Sequence, residues 1–174
     1  GKFGGKAYAV SGGLHGVGAS VVNALSSSLQ AEVVRDGNIY TQTYSRGITQ
    51  TEITTEVAPE GRITGTTVLF MPDTDIFGEL VYDFNILMNR FREMAYLNKG
   101  LQITFKSDWH TSKWPNHELT FYFDGGISSF VRGLNQKRNV LHEDPIYVED
   151  EIDGTNVEVA LQYNETYTES VYAF

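Results

Sequence analysis

The feature that most restricts the fold of this chain is a glycine-rich run that leads directly into a helical pattern. The run SGGLHGVG occupies residues 11–18, and a helix is predicted over residues 19–29, where Val22, Leu25 and Leu29 recur at helical spacing. Glycine allows positive φ angles and close approach to a ligand, and free N–H groups at a helix start favour an anion. A phosphate-binding loop and a plain glycine-rich turn before a helix both fit this spacing.

Two common phosphate loops do not match the run. A P-loop needs a lysine directly before its Ser or Thr, and no lysine precedes Ser20. A dinucleotide fingerprint needs a third glycine three residues after the second, and Gly16 and Gly18 are followed by Val21. The spacing of the glycines therefore does not identify the ligand.

The rest of the pattern mixes strands and helices without regular alternation, which favours an α+β fold. Helices are predicted over residues 83–97, with Asp83 as the N-cap, and over residues 127–135. A hairpin turn is predicted at Asp36-Gly37 and a loop over residues 107–118. Further strands are predicted over residues 48–57, 65–70 (as a buried strand), 101–106, 118–123, 146–149, 156–163 and 170–174. We place a domain boundary near Asp124.

Composition excludes several classes of protein. A net charge of −9 makes the chain a poor candidate for wrapping nucleic acid with its whole surface. The absence of cysteine excludes disulfides and thiolate metal sites. No apolar run approaches the roughly 20 residues that span a membrane. Both termini lie inside patterns typical of structured segments, so we interpret the chain as an internal piece of a longer protein.

Two metal motifs can be rejected from spacing. The acidic run that ends at Asp153-Gly154 resembles the front of a calcium loop, but Ala160 stands where the bidentate Glu is needed, so Asp153-Gly154 is predicted as a hairpin turn. The four histidines lack the spacing of a zinc site.

The residue string from Lys2 to Ser26 closely resembles the nucleotide lid of the gyrase B-type ATPases of bacterial type II DNA topoisomerases. These enzymes share an ATPase family with Hsp90, histidine kinases and MutL. The resemblance covers essentially the whole chain, with further matches at Arg35-Asp36-Gly37, Gly65-Thr66, Asn98-Lys99-Gly100, Gly125-Gly126-Ile127, Asp153-Gly154 and residues 157–164. It implies the C-terminal part of a two-layer α/β sandwich ATPase domain over residues 1–123. The start of an α+β transducer domain would follow over residues 124–174.

The resemblance implies an ATP site. Lys2 would reach the phosphates, Tyr8 would lie along the purine and ribose, Thr66 would form the floor of the adenine pocket, and Arg35 would line the rim where aminocoumarin antibiotics bind in relatives. The backbone of the lid would wrap the β- and γ-phosphates; its residues are Gly13, Leu14, His15, Gly16, Val17, Gly18 and Ala19. Each side chain also has an ordinary interpretation: a solvated lysine, a packing tyrosine, a β-forming threonine or an exposed hairpin arginine. His15 would act mainly through its backbone.

The resemblance also implies what lies outside the chain. The water-activating Glu, the Mg²⁺-binding Asn and the adenine-reading Asp would precede Gly1, and a Lys that contacts the γ-phosphate would follow Phe174. No catalytic or metal-binding residue is therefore expected within the chain, and the isolated chain is expected to be inactive.

The full-length protein would be a cytoplasmic enzyme that uses ATP and Mg²⁺. It would dimerise through its ATPase domain on binding ATP, and it would act on DNA in an A2B2 heterotetramer with the A-type partner of gyrase or of topoisomerase IV. The alternatives are an Hsp90-like or MutL-like ATPase of the same fold, or a non-catalytic scaffold that kept the fold.

Overall fold

The computed structural model describes residues 17–108 and 118–174. The chain divides between Val81 and Tyr82 into two compact units, residues 1–81 and residues 82–174. The predicted boundary near Asp124 lies inside the second unit, and the domain division of residues 1–123 and 124–174 stays a prediction.

The described residues of the first unit form a five-stranded antiparallel sheet and two short helices. In chain order the elements are α1 (Gly18–Ala24), β1 (Ser26–Arg35), β2 (Asn38–Ser45), β3 (Ile48–Thr49), β4 (Thr54–Val57), β5 (Gly65–Pro72) and α2 (Thr74–Phe77). The strand order is β3-β2-β1-β5, and β4 also pairs with β2. The long central strand β1 therefore links the hairpin partner β2 to β5.

The turn predicted at Asp36-Gly37 is confirmed. It joins β1 to β2 with Arg35 opposite Asn38, and Asp36 and Gly37 have φ angles of 51° and 73°. A two-residue hairpin turn of this kind requires positive φ at both positions, which Asp-Gly tolerates.

The helix predicted over residues 19–29 is shorter in the structure than the sequence predicts. The structure ends α1 at Ala24, and Ser26 begins β1. Serine competes with helical hydrogen bonding, and the Ser26 hydroxyl donates to the carbonyl oxygen of Val22 at 2.6 Å. Leu29 instead pairs with Phe70 of β5 and Tyr44 of β2.

The strand predicted over residues 48–57 is interrupted. Between β3 and β4, the side chain of Thr51 replaces a ladder bond, because its Oγ1 accepts from the Thr43 N–H at 3.1 Å.

The second unit, in the residues that the structure describes, contains two helices and two antiparallel strand pairs. The elements are α3 (Phe84–Leu97), β6 (Ile103–Lys106), β7 (Glu118–Phe121), α4 (Gly126–Asn135), β8 (Ile146–Ile152) and β9 (Thr155–Leu161). β6 pairs with β7 and β8 pairs with β9. α3 packs against α4 and β6, and α4 packs against β9.

Both helices predicted in the second unit are confirmed, as is the turn at Asp153-Gly154, which joins β8 to β9. Asp83 is the N-cap of α3, since its Oδ1 accepts from the Ile86 N–H at 3.0 Å. Residues 109–117, most of the predicted loop, lie outside the described residues.

The strand predicted over residues 170–174 is wrong, because this segment forms no strand. Its aromatic residues pack on α4 instead. The ring of Phe130 meets those of Tyr172 and Phe174 edge-on, with centroids 5.2 and 5.6 Å away. Ring contacts therefore take the place of a backbone ladder.

Few apolar side chains are buried in the part of the chain that the structure describes. They are Leu29 and Val34 in the first unit and Phe84 and Ala95 in the second. β5, predicted as a buried strand, is exposed, with Leu69 67% and Phe70 46% accessible. Strand pairing sets the position of β5, but no described element covers these side chains.

Among the described helices, none combines the length and apolarity needed to cross a bilayer.

Candidate functional site

The predicted site residues fall on three parts of the structure. Val17, Gly18 and Ala19 form the start of α1, Arg35 ends β1, and Thr66 lies on β5. The remaining predicted residues lie outside the described residues; they are Lys2, Tyr8, Gly13, Leu14, His15 and Gly16.

The start of α1 is a helix N-terminus to which no described side chain supplies a cap. Val17 is the N-cap residue, no side chain of the described residues makes a capping hydrogen bond there, and no acidic residue occupies the first turn. A Cβ built on Gly18 would meet no atom of the described residues within 4 Å. The first N–H groups of a helix have no partner within the helix, so this end can accept an anion or a close backbone approach.

Arg35 and Thr66 lie near the same end of the sheet. β1 and β5 pair with Val33 opposite Thr66 and Val34 opposite Gly65, which places Arg35 beyond the last pair. Arg35 is exposed and forms an ion pair with Asp36 at 3.2 Å. α1 leads into the opposite end of β1, where Ser26 pairs with Pro72. The register therefore places Thr66 opposite the residue two before Arg35, and α1 joins β1 at the opposite end of the strand.

An ion cluster at that opposite end was missed by the sequence analysis. Arg46, in the turn between β2 and β3, forms ion pairs with Asp73 and Asp75. Asp73 is 2% exposed and is the N-cap of α2, accepting from the Asp75 N–H at 3.1 Å. The hydrogen bond from Arg46 is the main cause that lowers the pKa of the Asp73 carboxyl, and Asp73 in turn raises the pKa of Arg46. An aspartate before a helix predicts an N-cap at Asp73, whereas nothing in the sequence indicates that Arg46 pairs with it.

A polar network in the second unit ties α4 to the end of β9. Asn135 is 7% exposed; its Nδ2 donates to Gln162 Oε1 at 3.0 Å and its Oδ1 accepts from Asn164 Nδ2 at 2.9 Å. Gln162 also donates to the carbonyl oxygens of His142 and Glu143 at 3.0 Å. A cleft of about 960 Å³ beside this network is lined by α4, β9 and residues 166–174, and by none of the predicted nucleotide-binding residues that the structure describes.

An acidic cluster lies on the β8–β9 ribbon. The Tyr147 hydroxyl lies 2.9 Å from Glu149 and 3.1 Å from Glu158, a cross-strand pair. Burial, followed by these carboxylates, raises the pKa of Tyr147, while the hydrogen bonds from Tyr147 and Asn156 lower the pKa of Glu149. Within residues 17–108 and 118–174, no group of three or more His, Cys, Asp or Glu is arranged to hold a metal ion.

Comparisons with known proteins agree on one family. The family model for DNA gyrase B matches residues 126–174. The DNA gyrase B-subunit of Bacillus cereus is 47% identical over the whole chain, which spans 42% of that relative. Its counterpart in Halalkalibacterium halodurans is also 47% identical, and the chain spans 26% of it. The chain therefore spans less than half the length of these curated relatives.

Two solved structures share the fold. The 43K ATPase domain of Thermus thermophilus gyrase B, in complex with an aminocoumarin, superposes with a TM-score of 0.76 at 35% identity, over 88% of this chain and 41% of that one. The B-subunit of the DNA gyrase from Myxococcus xanthus superposes with a TM-score of 0.69 at 30% identity, over 81% of this chain and 40% of that one. The predicted α+β fold is confirmed.

Proposed function

The chain belongs to the DNA gyrase B family, and on that premise we propose that it forms part of the ATP site of a type II DNA topoisomerase. The observation that carries the proposal is the similarity of 88% of the chain to a gyrase B ATPase domain. The reaction proposed for the full-length protein is ATP-driven passage of one DNA duplex through a double-strand break in another.

The phosphates of ATP would bind at the start of α1. No described side chain caps its N–H groups, and the dipoles of these groups favour the negative charge of phosphate. We assign the same role to the backbone of residues 13–16 and a direct charge contact to Lys2. Tyr8 and Thr66 would contact the nucleoside, and Arg35 would line the rim of the pocket.

The proposed metal requirement is Mg²⁺ held by residues elsewhere in the protein. In this proposal the chain would position the phosphates, and residues outside it would hold the ion. The catalytic base would likewise come from another segment.

Residues 124–174 would begin the domain that transmits the nucleotide state to the DNA-cleaving core. Support for the division near Asp124 comes from the family model, whose match starts at residue 126. ATP binding would order the lid and favour dimerisation of two ATPase domains, an order–disorder switch driven by γ-phosphate contacts. The A-type partner of gyrase or of topoisomerase IV would complete a cytoplasmic A2B2 heterotetramer. The net charge of −9 favours DNA contacts on other segments.

Substitution of one lid glycine in the full-length protein tests the proposal. Gly16→Val adds a branched side chain where the backbone is proposed to approach phosphate. ATP affinity and turnover should collapse while the melting temperature stays close to that of the unmodified protein. Unchanged turnover would overturn the lid assignment. A folded unmodified protein that does not bind ATP would instead support the scaffold alternative.

A further inference from the structure

The end of α1 receives hydrogen bonds from two distant turns. The Arg46 N–H donates to the carbonyl oxygen of Ser26 at 2.8 Å, and the Asp73 N–H donates to the carbonyl oxygen of Leu25 at 2.9 Å. Leu25 is the C-cap of α1, and Ser26 follows it. Two backbone donors from different parts of the chain therefore hold the point where the helix becomes a strand.

The side chains of the same two donors are joined to each other. The guanidinium of Arg46 contacts both carboxylate oxygens of Asp73, through Nε and, at 3.1 Å, through Nη2. Nη2 also lies 2.5 Å from Asp75. The Asp73 side chain is 3% exposed and the Arg46 side chain 54%. Two-point contact of this kind fixes direction as well as distance, so the two turns are held in one arrangement around the helix end.

The arginine turn also touches the helix directly. Gly47 has a φ of +80°, and a Cβ built on it would lie 3.4 Å from the Cα of Ala24, the last residue of α1. The Ser26 hydroxyl bonds back to Val22 at 2.6 Å. The last turn of α1 is thus held by polar bonds and by a close backbone contact at Ala24.

α1 has no hydrophobic anchor of its own in the described structure. The helix is seven residues long and has no buried residue; Val21 and Val22 are 47% and 36% exposed. Helices this short are not stable in isolation, and packing of an apolar face usually sets their position. In the described structure, the contacts at its C-terminal end tie α1 to the turns at Arg46 and Asp73. A seven-residue helix is only about 10 Å long, so a shift at its last turn moves its first turn.

We propose that Arg46 and Asp73 are positioning residues for the nucleotide site, holding α1 so that the N–H groups of residues 17–19 face the phosphates. This inference rests on the proposed ATP site. Loss of the pair would misplace the helix start and weaken ATP binding without removing any group that touches the nucleotide.

The test uses steady-state ATP turnover by the full-length protein. Arg46→Gln and Asp73→Asn should each raise the KM for ATP about tenfold while kcat per folded protein changes less than threefold. Arg62→Gln is the matched control, because Arg62 is similarly exposed and forms an ion pair with Glu32 of β1 at 2.5 Å. It should leave KM within twofold. Arg46→Lys keeps the charge and should restore part of the ATP affinity.

The outcomes separate positioning from general stability. A smaller folded fraction lowers apparent kcat and leaves KM unchanged, so unchanged KM in both variants would overturn the proposal, as would an equal KM rise in the Arg62→Gln control. If Arg46→Gln does not fold, the KM values of Asp73→Asn and Arg46→Lys test the proposal instead. Both variants should fold, because asparagine still caps α2 and lysine still pairs with the carboxylate. If the unmodified protein neither binds nor hydrolyses ATP, the proposed function itself fails.

Discussion

The ring of Tyr96 stacks on the ring of Phe123, with centroids 3.6 Å apart and ring planes inclined by 15°. Tyr96 lies on α3, and Phe130 of α4 meets it edge-on at 5.4 Å. A Cβ on Gly133 would lie 3.2 Å from the Tyr96 hydroxyl, so α4 presents its smallest residue at this contact. Tyr96 therefore connects α3, α4 and the segment after β7.

Truncation of this stack should destabilise the second unit. Phe123→Ala removes a half-buried ring and its stacking partner contact, and we expect a loss of about 2–3 kcal/mol in the free energy of unfolding. Urea denaturation of the full-length protein, followed by circular dichroism, measures it. Tyr122→Ala is the control, because Tyr122 is adjacent but 53% exposed. Equal effects of the two substitutions would contradict a special role for the stack.

Acid stability should depend on Asp73. The pKa of this carboxyl is held below its ordinary 3.8 in the folded protein, chiefly by Arg46. Its stabilisation is therefore present above pH 3.8 and is lost as the pH falls through the folded pKa, since the unfolded state then binds more protons. Below about pH 4, the melting temperature of Asp73→Asn should therefore decrease less steeply with falling pH than that of the unmodified protein. If the melting temperature of this variant falls as steeply with pH as that of the unmodified protein, other carboxyls account for the acid sensitivity. Glu149, whose pKa is also lowered, is one such carboxyl.

Lys2 should discriminate between nucleotides. A charge near the γ-phosphate contributes more to ATP binding than to ADP binding, so Lys2→Ala should weaken a non-hydrolysable ATP analogue by about 1–3 kcal/mol more than ADP. Calorimetric titration of the full-length protein gives both affinities. Lys137→Ala, at an exposed position after α4, should change neither. Equal losses for ATP analogue and ADP would exclude a γ-phosphate contact.

The 174-residue chain produced alone should be partly unfolded or prone to aggregation, and should not bind ATP. Strand β5 is the reason, because Val68, Leu69 and Met71 are 52%, 67% and 54% exposed. Uncovered apolar surface costs about 25 cal/mol per Å², and a domain is stable by only about 5–15 kcal/mol. Dye binding, a thermal melt and titration with a non-hydrolysable ATP analogue test this. A cooperative melt with micromolar ATP binding would contradict it.

Local chemistry alone determined the turns and the longer helices. Asp36-Gly37 and Asp153-Gly154 both join paired strands with positive φ angles, because Asp and Gly tolerate that conformation wherever they stand. α3 begins after Asp83 since an aspartate caps a helix through its own neighbours. The resemblance that identified the family also resides in the residue string, which needs no coordinates.

Only the tertiary structure decided features that depend on distant partners. Residues 26–29 are predicted as the end of a helix, yet they join β1 because residues 70–72 of β5 lie beside them. The Arg46–Asp73 pair spans 27 residues, and neither side chain carries a local sign of the other. Dihedral preference acts between neighbours along the chain, whereas strand pairing and ion pairing act between any groups that the fold brings together.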